Sequence, residues 1–508
     1  MYNLKKITSK AIAYLTTVIC LLTLGENMAL ANNSSQLRID HIFQQAYLKV
    51  SNGGTIDRLG QSIAVSGDTM VVGAVFEDSS TTGVNSTSNN SASTSGAAYV
   101  FVRDAVTHTW SEQAYLKASN TDTNDRFGTS VAILGDTLVV GAIFEESSTT
   151  GVDSTPDNLA NNAGAAYVFV RDTVTNTWSQ QAYLKASNSQ SGDEFGFSVA
   201  ISGDTVVVTA HKEDSSTTGV DSMPDESATD AGAGYVFIRD AVTHTWSEQA
   251  YLKASNTDIG DQFGSSIALS NNTIVVGAIS EDSSTTGVDS MPDNSSFAAG
   301  AAYVFVRDAA TDIWNEQAYL KASNTDASDE FGFSVAISGN AVVVGAHNED
   351  SSTTGVDSMP DNSAILAGAA YVFTRDTMTN LWSQQAYLKA SNTGVQDNFG
   401  TSVAVSDNLV MVGALGEDSS TTGVNSTADE SASSAGAAYV FIHDKVTNIW
   451  SEQSYLKASN TGANDQFGKS VGVSGTTIVV GAGEEDNATG AAYVFSVVPD
   501  LMFLDDFE

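Results

Sequence analysis

The chain has few of the residues that cross-link or kink a protein fold. Its 508 residues include 1 cysteine, Cys20, and 5 prolines. Cys20 lies in the N-terminal segment, so the rest of the chain offers no disulfide, thiol nucleophile or thiolate metal ligand. Proline cannot donate to a β-ladder, and here it avoids the segments that read as strands. Four of the prolines occupy the same position of a loop that recurs every 68 residues, and the fifth is near the C-terminus. They are Pro156, Pro224, Pro292, Pro360 and Pro499.

Basic residues are also scarce. The chain has 21 Lys and Arg against 60 Asp and Glu, which gives a formal net charge of −39. This balance predicts repulsion from nucleic acid and from anionic lipid surfaces, and it excludes nucleic-acid binding as a function. It also predicts a soluble protein that attracts cations.

The N-terminal apolar run, from Ala11 to Leu24, is too short to span a bilayer comfortably. It follows a basic start and precedes the small residues Ala29 and Ala31. This order predicts a secretory signal peptide, residues 1–31, with an uncleaved anchor as the alternative. We therefore expect a bacterial protein that is secreted, periplasmic or attached to the cell surface. Its mature chain should have no transmembrane segment.

A Phe-Gly pair returns every 68 residues. Seven copies at one spacing, the first of which reads Leu59-Gly60, predict seven copies of one structural unit. The six full pairs are Phe127-Gly128, Phe195-Gly196, Phe263-Gly264, Phe331-Gly332, Phe399-Gly400 and Phe467-Gly468.

One unit contains four short β-rich runs and no helical periodicity. In the unit of Phe195 these are 197–202, 205–210, 233–240 and 246–252, with a long polar stretch at about 212–231. Four antiparallel strands per unit are typical of a β-propeller blade. A parallel β-solenoid is the alternative, although its coils are usually far shorter than this repeat.

The two ends of the array predict how the ring closes. Gln45 to Lys49 reads as a fourth strand without a preceding unit, and the last unit, which ends near Phe495, has no fourth strand. The first segment should therefore complete the last blade and remove its open edge. The predicted fold is an all-β, seven-bladed propeller of four-stranded antiparallel blades, closed by its N-terminal strand. The predicted segments are a signal peptide (1–31), a lead-in (32–44), the propeller (45–496) and an acidic tail (497–508).

The repeats resemble the FG-GAP repeats of the integrin alpha-subunit head and their bacterial relatives. The resemblance lies in the Phe-Gly start and in the Ser-Val-Ala, Val-Val-Gly-Ala and Gly-Ala-Ala-Tyr-Val-Phe strands, over residues 45 to 495. It implies a seven-bladed propeller with a ligand face. The family's calcium loop between strands one and two is replaced by tight turns such as Ser202-Gly203-Asp204. One carboxylate cannot supply the oxygens that calcium needs, so we expect no integrin-type metal site.

Six units carry a long acidic loop between strands two and three, and the seventh lacks most of it. These loops should share one face with the connections from strand four to strand one. We expect few basic residues on this face, because most of them lie at repeated positions within the strands, as the lysines of the Tyr-Leu-Lys sequences do. The loops could bind cations, weakly including Ca²⁺, or a cationic partner, or they could be flexible solvated segments. The candidate ligand residues are Asp78, Glu146, Asp214, Asp282, Asp350 and Asp418.

Two further sets of residues, each at one fixed position of the repeat, have both a structural and a functional interpretation. An aspartate two residues before each Phe-Gly position is predicted to accept backbone N–H bonds, with a ligand role as the alternative. The tryptophans that open strand four are predicted to pack between blades, with a sugar-stacking platform as the alternative. The columns are Asp57, Asp125, Asp193, Asp261, Asp329, Asp397 and Asp465, and Trp110, Trp178, Trp246, Trp314, Trp382 and Trp450.

The function predicted from these features is that of an exported, non-enzymatic binding or adhesion module. Its long-loop face would contact an extracellular protein, glycan or matrix, and the protein should be a monomer without a cofactor. The alternatives are a propeller hydrolase or lyase with its site at the channel mouth, and a structural envelope protein. An enzyme should carry an unrepeated set of His, Asp or Arg residues in one unit, and the sequence pattern shows none.

Overall fold

The computed structural model describes residues 39–499. Twenty-nine strands form seven antiparallel sheets, one for each blade, as the repeat predicted. Six sheets have four strands, and the sheet of blade 1 has a fifth, two-residue strand contributed by its long loop. The seven-bladed propeller and its closure by the N-terminal strand are both confirmed.

The strands follow the same order in every blade, from the central channel outward. Blades 1 to 3 comprise β2 (Leu59–Ser66), β3 (Thr69–Ala74), β4 (Gly83–Val84), β5 (Ala97–Arg103) and β6 (Trp110–Lys117); β7 (Phe127–Leu134), β8 (Thr137–Ala142), β9 (Ala165–Asp172) and β10 (Thr177–Leu184); and β11 (Val199–Ser202), β12 (Thr205–Ala210), β13 (Ala233–Arg239) and β14 (Trp246–Leu252).

Blades 4 to 7 repeat this arrangement, with the last blade built from both ends of the chain. They comprise β15 (Phe263–Ser270), β16 (Thr273–Ala278), β17 (Ala301–Arg307) and β18 (Trp314–Leu320); β19 (Ser334–Ser338), β20 (Ala341–Ala346), β21 (Ala369–Arg375) and β22 (Trp382–Leu388); β23 (Phe399–Ser406), β24 (Leu409–Ala414), β25 (Ala437–Asp444) and β26 (Ile449–Leu456); and β27 (Ser470–Ser474), β28 (Thr477–Ala482), the short turn α1 (Glu485–Ala488), β29 (Ala491–Pro499) and β1 (Ile39–Leu48).

The second strand of each blade is the most deeply buried element. All six residues of β12 are buried, because both faces of the strand pack against neighbouring blades. Such strands read as continuous apolar runs rather than alternating ones. The hydrophobic core therefore consists of seven clusters, each shared between adjacent blades.

The strand bounds predicted for the unit of Phe195 agree closely with those observed. Strands two and four match at both ends, strand three ends one residue earlier at Arg239, and strand one begins at Val199 rather than at residue 197. The tight turn at Gly203 has a φ of +59°, which is a left-handed conformation that glycine adopts without strain.

The closing strand is longer than the sequence indicated. β1 begins at Ile39 rather than Gln45 and pairs with β29 as far as Pro499, so the predicted lead-in and tail both contribute to the sheet. The predicted signal peptide and residues 500–508 lie outside the described residues. Within residues 39–499, no helix has the length and apolar character required to cross a membrane.

Candidate functional site

The long loops and the connections between blades lie on one face of the propeller, called the loop face here. It comprises residues 75–96, 143–164, 211–232, 279–300, 347–368, 415–436 and the short connection 483–490. Each loop contacts the connection that leads into the next blade, as where Glu194 N donates to the Asn162 carbonyl at 3.0 Å. A side-chain bond from Asn158 to Asp122, at 2.8 Å, links the same two kinds of segment.

A buried lysine–glutamate pair anchors each long loop to its blade. In blade 3, Lys253 Nζ donates to Glu213 Oε2 at 3.0 Å and to the Gly232 carbonyl at 2.6 Å. Tyr251 Oη and Ser215 Oγ both donate to Glu213 Oε1, at 2.9 and 2.6 Å. The expectation that basic residues avoid the loop face was therefore wrong. The lysines of the Tyr-Leu-Lys column lie beneath the loops, where each neutralises a glutamate.

The charge of each residue in this pair favours the ionised form of the other. Burial lowers the pKa of Lys253, and the charge of Glu213 opposes that shift. Burial acts to raise the pKa of Glu213, but the charge of Lys253 and the hydrogen bonds prevail and lower it. Fully buried lysines are rare unless they are paired, so this network has a structural role.

Each long loop also pairs with the fourth strand of its own blade. In blade 2 an antiparallel bridge joins Val152 to Leu184, and Asp153 Oδ1 accepts a bond from Tyr183 N at 2.9 Å. Asp157 folds the tip by accepting bonds from the backbone and hydroxyl of Ser148, at 2.8 and 2.7 Å. The loops therefore carry defined hydrogen bonds while residues such as Asp157 stay exposed, and the interpretation of the loops as flexible solvated segments stays a prediction.

The six candidate ligand carboxylates lie at the bases of the loops and are half-buried. In five of them the carboxylate accepts a backbone N–H bond from the returning end of the loop, as between Asp282 Oδ1 and Ala298 N at 2.7 Å. Glu146 is the exception, since only its carbonyl makes this kind of contact, with Ala160 N at 2.7 Å. These residues close the loops, and a ligand role for them stays a prediction. The five aspartates are Asp78, Asp214, Asp282, Asp350 and Asp418.

The aspartate column has the capping role that was predicted for it. Each carboxylate accepts a bond from the backbone N–H three residues earlier, as from Asp258 N to Asp261 at 2.8 Å. All seven aspartates are buried, and burial raises the pKa of Asp261 to about 8. The column is therefore part of the turns that lead into strand one.

The tryptophan column packs between blades. Trp246 Nε1 donates to Gln181 Oε1 of the preceding blade at 2.9 Å, and the guanidinium of Arg239 lies 5.5 Å from the indole ring. All six tryptophans are buried, so a sugar-stacking platform at these positions is wrong.

The Phe-Gly motif joins neighbouring blades around the channel. Phe127 is buried against Tyr167, and Ser62 Oγ donates to the Gly128 carbonyl at 2.8 Å. Gly128 has a φ of +94°, and a Cβ there would overlap the Ala97 carbonyl of the preceding blade. The motif is therefore scaffold, and it requires glycine for both conformation and space.

One side of the loop face exposes apolar side chains. Met223, Met291 and Met359 occupy the same position of the loops in blades 3 to 5 and are each 85% exposed. The corresponding residue in blades 1, 2 and 6 is threonine. We call these methionines, together with three exposed apolar residues of the long loops in blades 2, 4 and 5, the apolar arc. These three residues are Leu159, Phe297 and Ile365.

The first strands of all seven blades line a central channel with a cavity of about 450 Å³. Its opening on the loop face, the channel mouth, is formed by the residue before each Phe-Gly position and by the residues that follow strand two. The residue before each Phe-Gly position has a left-handed φ value in every blade, but its side-chain charge differs from blade to blade. These residues are Arg58, Arg126, Glu194, Gln262, Glu330, Asn398 and Gln466.

Two histidines that the sequence analysis left unassigned lie at this mouth. His211 stacks on Phe197 and His347 on Phe333, with ring centroids 3.7 Å apart in both pairs. Burial, followed by the charge of Lys212, lowers the pKa of His211 to about 3. These histidines and arginines lie in different blades, so the absence of an unrepeated set of His, Asp or Arg within one unit stays a prediction. The signal that could have located the residues of the mouth is the variation at these two repeat positions in an otherwise uniform repeat.

Comparison with known proteins assigns the family. The FG-GAP repeat matches seven segments, residues 42–101, 110–169, 178–237, 246–305, 314–373, 382–441 and 450–495. No curated protein matches the chain.

Three solved structures are similar at low sequence identity. The RRP9 WD40 repeats show a TM-score of 0.46 at 10% identity, and the alignment covers 91% of this chain and 99% of that one. A protein from Lactobacillus plantarum shows 0.44 at 11% identity, with coverages of 82% and 90%. Saccharomyces cerevisiae Sqt1 shows 0.39 at 9% identity, with coverages of 90% and 99%. The seven matched segments span most of the chain, which therefore belongs to the FG-GAP repeat family.

Proposed function

We propose that the protein is an exported, non-enzymatic binding or adhesion module whose loop face contacts an extracellular protein, glycan or matrix. The observation that supports this proposal is the apolar arc. Its side chains are exposed on loops that are tied to the blades by buried ion pairs and β-bridges.

Such a surface is suited to binding for two physical reasons. Loops that are already ordered lose little conformational entropy when a partner binds. Methionine side chains are unbranched and polarisable, so they adapt to partners of different shape.

The asymmetry of the loop face supports the same proposal. Loops that served only to keep the protein soluble would need no exposed methionine, yet three adjacent blades carry one at the same position. Threonine occupies this position in Thr87, Thr155 and Thr427, so the fold itself accepts a polar residue there. The methionines are therefore best explained by contact with a partner.

The test is a binding screen of the purified protein against glycan and surface-protein arrays. A variant with Met223→Thr, Met291→Thr and Met359→Thr replaces each methionine by the residue found in blades 1, 2 and 6. We expect this variant to retain its melting temperature and to lose about tenfold or more in affinity for whichever array component the protein binds.

The matched control removes three apolar side chains from the opposite face, with Val106→Thr, Val174→Thr and Val242→Thr. These valines are 86–89% exposed in the connections between strands three and four. The control should bind like the unmodified protein. Equal loss in both variants, or binding that survives in the methionine variant, would contradict the proposal.

A further inference from the structure

The channel mouth carries a cationic cluster that no repeat motif explains. Lys469 of blade 7, Arg58 of blade 1 and Arg126 of blade 2 lie on consecutive blades. We call these three residues the basic arc. In their columns the other blades carry neutral or acidic residues, such as Thr401 in the column of Lys469 and Gln262 in that of the arginines.

Aromatic rings fix the two guanidinium groups. Arg58 lies 4.7 Å from the centroid of Phe76, and Arg126 lies 5.3 Å from the same ring and 4.2 Å from that of Phe144. Cation–π contacts of this kind hold a guanidinium in place without neutralising its charge. The two like charges are thus held close to each other on one side of the channel mouth.

Carboxylates compensate this cluster only in part. Arg58 Nε lies 2.9 Å from Glu484 Oε1. The Nε of Arg126, like that of Arg58, is buried and has no hydrogen-bond partner within residues 39–499. Burial lowers the pKa of Arg126, and the charge of Glu194 opposes that shift. Lys469 makes no ion pair in the described part of the chain. Burial and the charge of Arg58 lower its pKa, and the charge of Glu484 opposes that shift.

The other partly buried cations in the described chain have polar partners, which for Arg307 and Arg375 are asparagine side chains. On the opposite face Arg103, Arg171 and Arg239 are paired with aspartates, and the lysines beneath the loops are paired with glutamates. A protein with a net charge of −39 has many carboxylates from which partners could be drawn. The carboxylates that act on Arg126 and Lys469 are already paired with other cations, Glu194 with Lys212 at 2.8 Å and Glu484 with Arg58 at 2.9 Å. Two partly buried cations that share their carboxylates in this way point to a ligand that supplies further negative charge.

We propose that the basic arc binds the oxyanion group of a small molecule, a carboxylate, phosphate or sulfate. Arg126 can donate its free N–H groups to such a group, and Lys469 adds a second cation. Lys469 also lines the cavity of about 450 Å³, which can accept the remainder of the ligand. The acidic loops around the mouth repel a long polyanion, so the ligand carries few charges.

The test measures binding of citrate, phosphate and sulfate to the full mature chain by calorimetry and thermal melting. Sodium chloride of equal ionic strength is the reference, because it screens charges without offering a multivalent oxyanion. We expect at least one of the three anions to bind and to raise the melting temperature above that reference. A stabilisation that sodium chloride reproduces in full would overturn the proposal.

The chain itself supplies conservative variants for the second arm. Arg126→Gln introduces the residue found at Gln262 and Gln466, and Lys469→Thr introduces that found at Thr129 and Thr401. Each should weaken binding of the anion by about tenfold or more while the fold persists. The control Lys445→Gln removes an exposed lysine on the opposite face and should leave binding unchanged.

The remaining outcomes also decide the question. Equal weakening by Lys445→Gln would show non-specific charge attraction, and tighter binding of heparin than of any small anion would show a polyanion site. Either result would overturn the proposal. The methionine variant of the apolar arc should bind the small anion normally, so the failure of one proposal can be distinguished from the failure of the other.

Discussion

Blade 7 differs from the other six in what covers its lysine–glutamate pair. In blade 6, Lys457 and Glu417 are fully buried beneath the long loop, with Nζ and Oε2 at 2.7 Å. In blade 7, Lys49 bonds to Glu485 beneath the short connection and keeps 27% of its side chain exposed. The pair thus forms without the long loop, but only the loop excludes water from it. The long loops are therefore additions to a complete framework, positioned by an ion pair that the framework already has.

The same comparison extends to the aspartates beside these loops. Where long loops flank them, burial raises the pKa of these aspartates to about 8, as at Asp261, or about 7, as at Asp397. At Asp57, which follows the short connection of blade 7, burial raises the pKa only to about 6. Without a long loop beside it, the hydrogen-bonded turn still forms but is more exposed to solvent.

The largest effect is expected from removing the strand that distinguishes blade 7. Deleting residues 39–49 removes β1, which leaves the edge of β29 unpaired, and it removes the bonds that Tyr47 and Lys49 donate to the carboxylate of Glu485. We expect the melting temperature to fall by about 5 °C or more, measured by circular dichroism. A peptide of residues 39–49 added to the truncated protein should restore part of the loss. An unchanged melt would show that β1 does not close the ring.

The second expectation compares two lysines. Lys253→Met leaves the carboxylate of Glu213 buried and unpaired, which should cost about 3–5 kcal/mol in unfolding free energy. Lys49→Met removes a partly exposed partner, and water can replace it, so we expect a loss of about 1 kcal/mol. Urea denaturation measures both. The double variant Glu213→Gln with Lys253→Met should recover part of the larger loss, and equal losses in the two single variants would refute the comparison.

The third expectation concerns pH. Because folding raises the pKa of the buried aspartates, the folded state binds more protons than the unfolded state between about pH 4 and pH 8. The unfolding free energy should therefore fall as the pH rises through this window and level off above it. Asp261→Asn keeps the acceptor oxygen but cannot ionise, so it should flatten this slope.

Asp57→Asn is the matched variant for that measurement. Since the pKa of Asp57 is raised only to about 6, its replacement should flatten the slope less and only below about pH 6. Urea midpoints measured at several pH values test both variants. A slope that is unchanged by Asp261→Asn, or changed equally by the two, would contradict the role assigned to the loops.

The smallest effect is expected from calcium. The loop carboxylates bind backbone N–H groups, and no cluster of three acidic or histidine side chains suited to a metal ion occurs among residues 39–499. Millimolar calcium should shift the melting temperature little relative to a chelator. Replacing the loop of blade 3 by the short connection of blade 7 should not change that small shift. A shift of about ten degrees or more would show that the acidic loops bind calcium in solution.

Much of the fold could be read from the sequence because it depends on local patterns. The runs 205–210 and 246–252 were predicted at their observed bounds, since apolar runs and turn glycines mark strands directly. The loop face followed from antiparallel connectivity. The burial of Lys253 could not be predicted, because lysine is ordinarily exposed and its partner Glu213 lies 40 positions earlier in the chain.

The sequence by itself determined the number of blades, their register and the meeting of the two ends, because each depends on a repeat of fixed length. Only the tertiary structure decided what lies at the channel mouth. Lys469 and Arg58 stand near opposite ends of the chain and become neighbours when the ring closes. A repeat shows what its units share, whereas this mouth is built from single residues in which the units differ, brought together by closure of the ring.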